Sequence, residues 1–171
     1  NTIKVIEHVL RKENKKYKLI NVEVNGGVAK ARQTAVTTAK TKYIQFIDAD
    51  DLIHNTLVEK EYNLITTNEN IMAVSSWLKY IDLEGNKLSG GFYLGAKTKE
   101  EFVNLASKEK LVFLPIHTLF NREIALRVGG FRLDGFPKGK PRFQDFCEDL
   151  DLWTRMSDLY KEGKYIITIP E

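Results

Sequence analysis

The amino-acid sequence predicts an α/β protein with a mixed, mostly parallel sheet flanked by helices, and three observations support that fold class. Strand-like and helix-like patterns alternate along nearly all of the 171 residues, the order that builds layered folds around a largely parallel sheet. The apolar run Tyr43-Ile44-Gln45-Phe46-Ile47 ends abruptly in Asp48, Asp50 and Asp51, which places carboxylates where open α/β sheets bind their ligands. The length suits one domain, residues 1–171, large enough to bury a real core.

The elements follow in order. Ile3, Ile6 and Leu10 give a helical period over residues 2 to about 14, with Thr2 able to cap. Residues 19–24 read as a short strand. Val28, Ala31, Ala35 and Ala39 mark a small-residue stripe on a second helix, entered through Gly26-Gly27. A strand over residues 43–47 leads to the acidic cluster. Leu57 with Leu64, and Val58 with Tyr62 and Ile65, predict a third helix. Residues 71–81 read as one strand, closed by the hairpin-type turn Glu84-Gly85-Asn86-Lys87. Thr98 and Glu101 form a capping-box signature before Phe102 and Leu105. A strand over 111–120 and a short helix over 122–128, stopped at Gly129-Gly130, come next. Residues 131–143, rich in Gly, Pro and Lys, read as a loop. A helix over 148–160 and a strand over 165–169 complete the pattern.

Composition excludes several classes. A net charge of +3, with basic and acidic residues interspersed, argues against a nucleic-acid binder. One cysteine, Cys147, rules out an internal disulfide and fits a reducing compartment. No apolar run approaches the ~20 residues that cross a bilayer, and no signal peptide is visible. A cytoplasmic location is the expectation, with peripheral attachment to the inner face of the membrane left open.

Three like charges at a strand end repel one another, and a divalent cation would compensate them, because Mg²⁺ and Mn²⁺ take carboxylate oxygens. Helix capping accounts for Asp50 or Asp51 alone but not for all three. A second acidic cluster, Glu148-Asp149-Leu150-Asp151, opens an amphipathic helix. There, complementing the helix dipole explains acids in the first turn, and Asp151 can pair with Arg155 at i+4. Asp149, beside the glycine-rich basic loop, is well placed as a general base. Arg32 lies beside the small-residue stripe and points toward the sheet, so its guanidinium needs an anionic or carbonyl partner. A salt bridge to Asp48 and contact with a bound nucleotide fit that position equally well.

Competing motifs fail on their spacing. An EF-hand starting at Asp48 would place Ile53 where the loop requires Gly. His8, His54 and His117 lack zinc spacing. Gly26-Gly27 lacks the Gly-Lys-Ser/Thr ending of a P-loop. Cys147 stands beside two acids that disfavour its thiolate. Lys138, Lys140 and Arg142 space as a solvated loop, with only Phe136 and Phe143 available to stack on bases.

Taken in order, Asn25-Gly26-Gly27-Val28-Ala29-Lys30-Ala31-Arg32-Gln33, Phe46-Ile47-Asp48-Ala49-Asp50-Asp51, Gly129-Gly130-Phe131 and Glu148-Asp149-Leu150-Asp151-Leu152-Trp153 resemble the family-two nucleotide-sugar glycosyltransferases of the GT-A (Rossmann-like) fold. The resemblance implies transfer of a sugar from a nucleoside-diphosphate donor to a hydroxyl of a glycan or lipid-linked acceptor, with inversion. It implies that Asp50 and Asp48 hold Mn²⁺ or Mg²⁺, Asp50 at the donor diphosphate and Asp48 nearer the ribose or a metal-bound water. Arg32 would lie at the nucleotide, Asp149 would be the catalytic base, and Glu148 with Gly130 would line the acceptor side. The alternative is a non-catalytic module of the same fold that binds a sugar nucleotide or another protein.

Relatives open with a strand-helix-strand unit that builds the nucleoside pocket, and Asn1-Thr2 resembles the tail of its last turn. The expectation is therefore a GT-A domain lacking that unit. Such a chain should bind donor weakly or not at all by itself, and an open sheet edge or exposed apolar face should favour a homodimer or swapped assembly.

Overall fold

The computed structural model describes residues 2–13, 16–92, 95–110, 114–133 and 148–170. The described residues form six helices and six strands, in the order α1 (Thr2–Lys12), α2 (Gly27–Thr38), β1 (Tyr43–Ile44), α3 (Leu57–Ile65), β2 (Ile71–Ser76), β3 (Leu78–Ile81), β4 (Lys87–Phe92), α4 (Lys99–Ser107), β5 (Leu119–Asn121), α5 (Arg122–Arg127), α6 (Glu148–Ser157) and β6 (Tyr165–Ile169). A 3₁₀ turn, Asp158–Glu162, joins α6 to the last strand through Gly163.

The main sheet has the order β1-β5-β2-β6. Strand β5 runs antiparallel to both β1 and β2, whereas β2 and β6 are parallel. Three of the four strands therefore point the same way, and β5 alone is reversed. This is the mixed, mostly parallel sheet expected. Every residue of β2 is buried, as its unbroken run of apolar and small residues requires of a strand covered on both faces.

Aromatic packing fixes the core beside this sheet. Phe120 of β5 meets Trp153 of α6 edge-on at 5.5 Å and stacks on Phe46 at 6.1 Å, and Phe46 meets Phe131 edge-on at 5.6 Å. Offset and edge-to-face pairs of this kind add stabilisation beyond the area they bury. Helix α3 packs against β2 and β5, and α4 against β6. The Thr98 hydroxyl caps α4 by accepting from the Glu101 amide at 3.2 Å, and the Glu101 carboxylate reaches back to the Lys97 amide at 2.7 Å.

Several expectations need correction. Residues 19–24 form no strand: Leu19, Ile20, Val22 and Val24 are 38%, 39%, 39% and 69% exposed, with no neighbouring strand to pair with among the described residues. The strand over 71–81 breaks at Trp77, because β2 is fully buried in the main sheet while β3 leaves it to form a separate, exposed hairpin with β4. The hairpin turn stands as expected, with Gly85 at φ +85° and the Asp82 carboxylate accepting from Asn86. The ladder of β1 stops at Ile44, and that of β5 covers Leu119–Asn121 alone. On α2 the buried residues are Ala29 and Val36, whereas Ala31 of the predicted stripe is exposed. The inward face is thus turned by a residue or two, and it carries Arg32 and Gln33. On α3 the inward face is Leu57, Glu61 and Ile65, with Val58 and Tyr62 outside. The expected helix end at Asn14, the strand start at Leu111, the Lys138, Lys140, Arg142, Phe136 and Phe143 loop and Cys147 lie outside the described residues.

Candidate active site

Residues 45–47 continue from β1 without a ladder partner among the described residues and deliver Asp48, Asp50 and Asp51 to the carboxyl edge of the sheet. A turn closes there, with the Asp51 amide donating to the Asp48 carbonyl at 3.1 Å. Asp48, Asp50 and Asp51 are exposed. Solvation makes three adjacent carboxylates tolerable and leaves their oxygens accessible to a ligand.

Arg32 joins this edge to the second acidic cluster. Its Nη2 donates to Asp48 Oδ1 at 3.2 Å, and its Nη1 makes a short ion pair with Glu148 Oε1. The guanidinium lies 5.9 Å over the Phe46 ring, and its side chain is only 12% exposed. A planar fork with two separate donor edges can serve two carboxylates at once, which an ammonium cannot do in the same geometry. Glu148 is buried, and a carboxylate so placed requires its charge partner.

Asp149, the next residue on the same helical turn, is half-buried. Burial pushes its carboxyl above the ordinary carboxylate range, against the lowering effects of the Leu150 amide and the Arg32 charge; the Asp48 charge pushes it further up. Asp149 therefore feels both Arg32 and Asp48, so the two acidic clusters share one field. Asp151 takes the role expected of it, pairing with Arg155 at 2.6 Å. The three acids that open α6 divide among an ion pair, a perturbed carboxyl and a helix-surface bridge.

The turn Gly129-Gly130-Phe131 is held from two helices. Gln33 Oε1 accepts from the Phe131 amide at 2.7 Å. Arg155 donates to the Gly130 carbonyl at 2.6 Å and to the Val128 carbonyl. Gly130 has φ +63°, and a Cβ there would collide with the Gln33 amide, so both conformation and contact demand glycine. Gln33, Phe46 and the carbonyl-binding role of Arg155 were not singled out from sequence. Gln33 sits one position after Arg32, but nothing in its spacing marks it as a clamp. A cleft of about 290 Å³ opens at the start of α2, beside Glu23, Asn25, Gly26, Gly27 and Lys30.

Residues 1–129 match the model of glycosyl transferase family 2. The chain belongs to this family. It is 34% identical over 87 residues to an uncharacterised glycosyltransferase of Haemophilus influenzae, covering 51% of this chain and 34% of that protein. It is 35% identical over 78 residues to an uncharacterised glycosyltransferase of Methanocaldococcus jannaschii, covering 46% of this chain and 27% of that one. Among solved structures it is similar to S. aureus TarS 1-349, with a TM-score of 0.63 at 15% identity, covering 98% of this chain and 45% of TarS. That likeness shows a GT-A fold. The matched stretches thus span about a third or less of the two curated glycosyltransferases and under half of TarS.

The family match includes Arg32, Asp48, Asp50 and Gly129 but ends before Glu148 and Asp149. The structure brings Arg32, Asp48 and Glu148 into contact, with Asp149 in their field. Gly130 joins the same region through Gln33, the neighbour of Arg32. Asp50 makes no side-chain hydrogen bond or ion pair among the described residues. No group of three or more His, Cys, Asp or Glu side chains arranged to hold a metal occurs among them. One or two carboxylates with substrate phosphates completing the shell is, however, the usual arrangement for Mg²⁺. Asp48 and Asp50 are both exposed carboxylates of the kind such a shell uses.

Proposed function

We propose that this family-2 domain transfers a sugar from a nucleoside-diphosphate sugar to a hydroxyl acceptor with inversion, assisted by a divalent cation. The observation that carries the reading is the Arg32 bridge, which reaches Asp48 at the strand end and, 116 positions from Arg32 in sequence, Glu148 at the start of α6, bringing the two acidic clusters to one site. Folding alone gives no reason to gather so much negative charge at a sheet edge, and a cationic and electrophilic ligand pair does.

Asp50 and Asp48 would hold the cation; Mn²⁺ and Mg²⁺ suit hard carboxylate oxygens. When bound, it supplies neutralisation of the negative charge that the departing diphosphate develops. Arg32 keeps Asp48 turned toward the site while its other edge neutralises Glu148, so that Asp149 is the acid left to act as a base. The acceptor oxygen forms its bond to the anomeric carbon as the bond from that carbon to the diphosphate oxygen breaks, and the hydroxyl proton passes to an Asp149 oxygen. A carboxylate with a raised pKa is a stronger base than one in water, as general-base catalysis near neutral pH requires. Gly130, pinned by Gln33 and Arg155, lines the acceptor side together with the α6 start. Glu148, buried on Arg32, acts by holding the guanidinium. The donor class, the single cysteine and the glycan or lipid-linked acceptor support work in the cytoplasm or at the inner membrane face.

Titrating the protein that carries this chain with a nucleoside diphosphate, with and without Mn²⁺, tests this function. Binding strengthened by Mn²⁺ and lost in Asp50→Asn is expected. Binding indifferent to Mn²⁺ and to Asp50 would instead favour a non-catalytic binding module.

A further inference from the structure

Residues 45–47 have no ladder bonds among the described residues, so side chains must fix the run that carries Asp48 and Asp50. Phe46 is held by aromatic packing and Asp48 by Arg32. Gln45 is held by a buried polar cluster behind the site: its Nε2 donates to Glu61 Oε2 at 2.6 Å and to the His117 carbonyl at 2.6 Å. The carbonyl can only accept, which fixes the amide nitrogen toward it and makes Glu61 Oε2 an acceptor as well. Glu61 is completely buried in the middle of α3, and its Oε1 has no hydrogen-bond partner among the described residues.

We propose that Glu61 is a positioning residue for the acidic strand end, acting through the Gln45 amide to set the run on which Asp48 and Asp50 stand. An ordinary core position at this point of α3 would be aliphatic, as at Leu57 and Ile65 on the same face. A buried acid costs free energy that only a specific contact offsets, and here the contact is with the strand leading to the acidic turn. Among the described residues, no cation is hydrogen-bonded to Glu61 or Gln45. Gln45 comes from the run after β1, and the His117 carbonyl from the loop before β5. The His117 ring turns to Ser76 Oγ at 3.2 Å and feels the Asp51 charge, while β2 and β5, against which α3 packs, contain no charged residue. Burial accordingly pushes the Glu61 carboxyl up to about 8, and the Gln45 hydrogen bond only moderates this. Near neutral pH Glu61 is a neutral acceptor, so glutamine can replace it.

The inference rests on the metal-site reading of Asp48 and Asp50 for its affinity arm only. That arm measures Mn²⁺ alone by water-proton relaxation. Gln45→Leu, which removes both donors, should weaken Mn²⁺ binding roughly 10-fold or more, as loss of a residue supporting a ligand does; Glu61→Leu should do the same, and Glu61→Gln should stay close to the parent. The second arm needs no metal: the Gln45 side-chain amide and the backbone amides of residues 46–51 are followed by NMR against pH. One transition near the Glu61 titration should move both sets in the parent and vanish in Glu61→Gln. Folded Gln45→Leu protein with parental Mn²⁺ affinity, or strand-end amides blind to Glu61, would overturn the proposal. If the parent protein binds no Mn²⁺, the metal reading fails and the NMR arm alone decides the role of Glu61.

Discussion

Glu148 and Asp149 are adjacent on one helical turn yet meet different surroundings: the first is buried on Arg32, the second half-buried and raised above the carboxylate range. The proposed division of roles rests on that difference. In the protein that carries this chain, Asp149→Asn should lower turnover by about 10²–10⁴-fold while leaving cation-dependent donor binding intact, because the amide keeps the shape but cannot take the proton. Near-parental turnover would return Asp149 to a helix-dipole role. The pH–rate profile should also have its acidic limb above the ordinary aspartate range, since transfer needs Asp149 ionised. Glu61 makes a separate prediction about stability. Its folded pKa lies above its unfolded value, so the folded state holds the extra proton between about 4.5 and about 8. The contribution of this group is complete below that window and is lost across it as pH rises, with a slope of about 1.4 kcal/mol per pH unit. Urea unfolding of the parent and of Glu61→Gln across that range should show a slope in the first that is missing in the second.

Arg32 ties α2 to the sheet edge and to the start of α6, and Gln33 and Arg155 tie the Gly130 turn to the same two helices. Arg32→Met should cost roughly 3–5 kcal/mol, because it strips the charge partner from a buried carboxylate. Gly130→Ala should cost about 1–3 kcal/mol through its left-handed backbone and the blocked Gln33 contact. Both are read by denaturant midpoints at constant slope. How much of this the sequence revealed depended on range. The Asp151–Arg155 pair and the α4 capping box lie within four positions and were legible. The Arg32–Asp48 bridge was one of two readings, because an inward guanidinium announces the need for an anion but not which one. Its second partner, Glu148, lies 116 positions away, and no local pattern connects them. Period also gave element type better than face. Helix α3 was expected to bury Val58 and Tyr62, but the fold turns Glu61 inward, a choice that only the distant Gln45 explains. Residues 19–24 have strand-like composition, and composition alone cannot supply a pairing neighbour.

At the scale of the molecule, α1 presents an exposed apolar surface among the described residues. No residue of α1 is buried, Val5 and Val9 are 60% and 50% exposed, and residues 19–24 add further apolar side chains. The main sheet also ends in β1 and β6. Patches and edges of this kind promote association, so sedimentation velocity should show concentration-dependent self-association, a homodimer being the expected form. Val5→Glu with Val9→Glu should suppress it without altering the sheet, whereas a strictly monomeric parent at high concentration would refute it. Among the described residues no helix is long and apolar enough to cross a membrane. The site belongs to the same scale, because it exists only where α2, the run after β1 and the start of α6 converge. Calorimetric titration of the protein that carries this chain with a nucleoside diphosphate, with and without Mn²⁺, and repeated with Asp50→Asn and Asp149→Asn, tests that convergence most directly. The account predicts binding that Mn²⁺ strengthens at least about 10-fold, that Asp50→Asn abolishes and that Asp149→Asn preserves. Binding of equal strength with and without Mn²⁺, unchanged in Asp50→Asn, would contradict it.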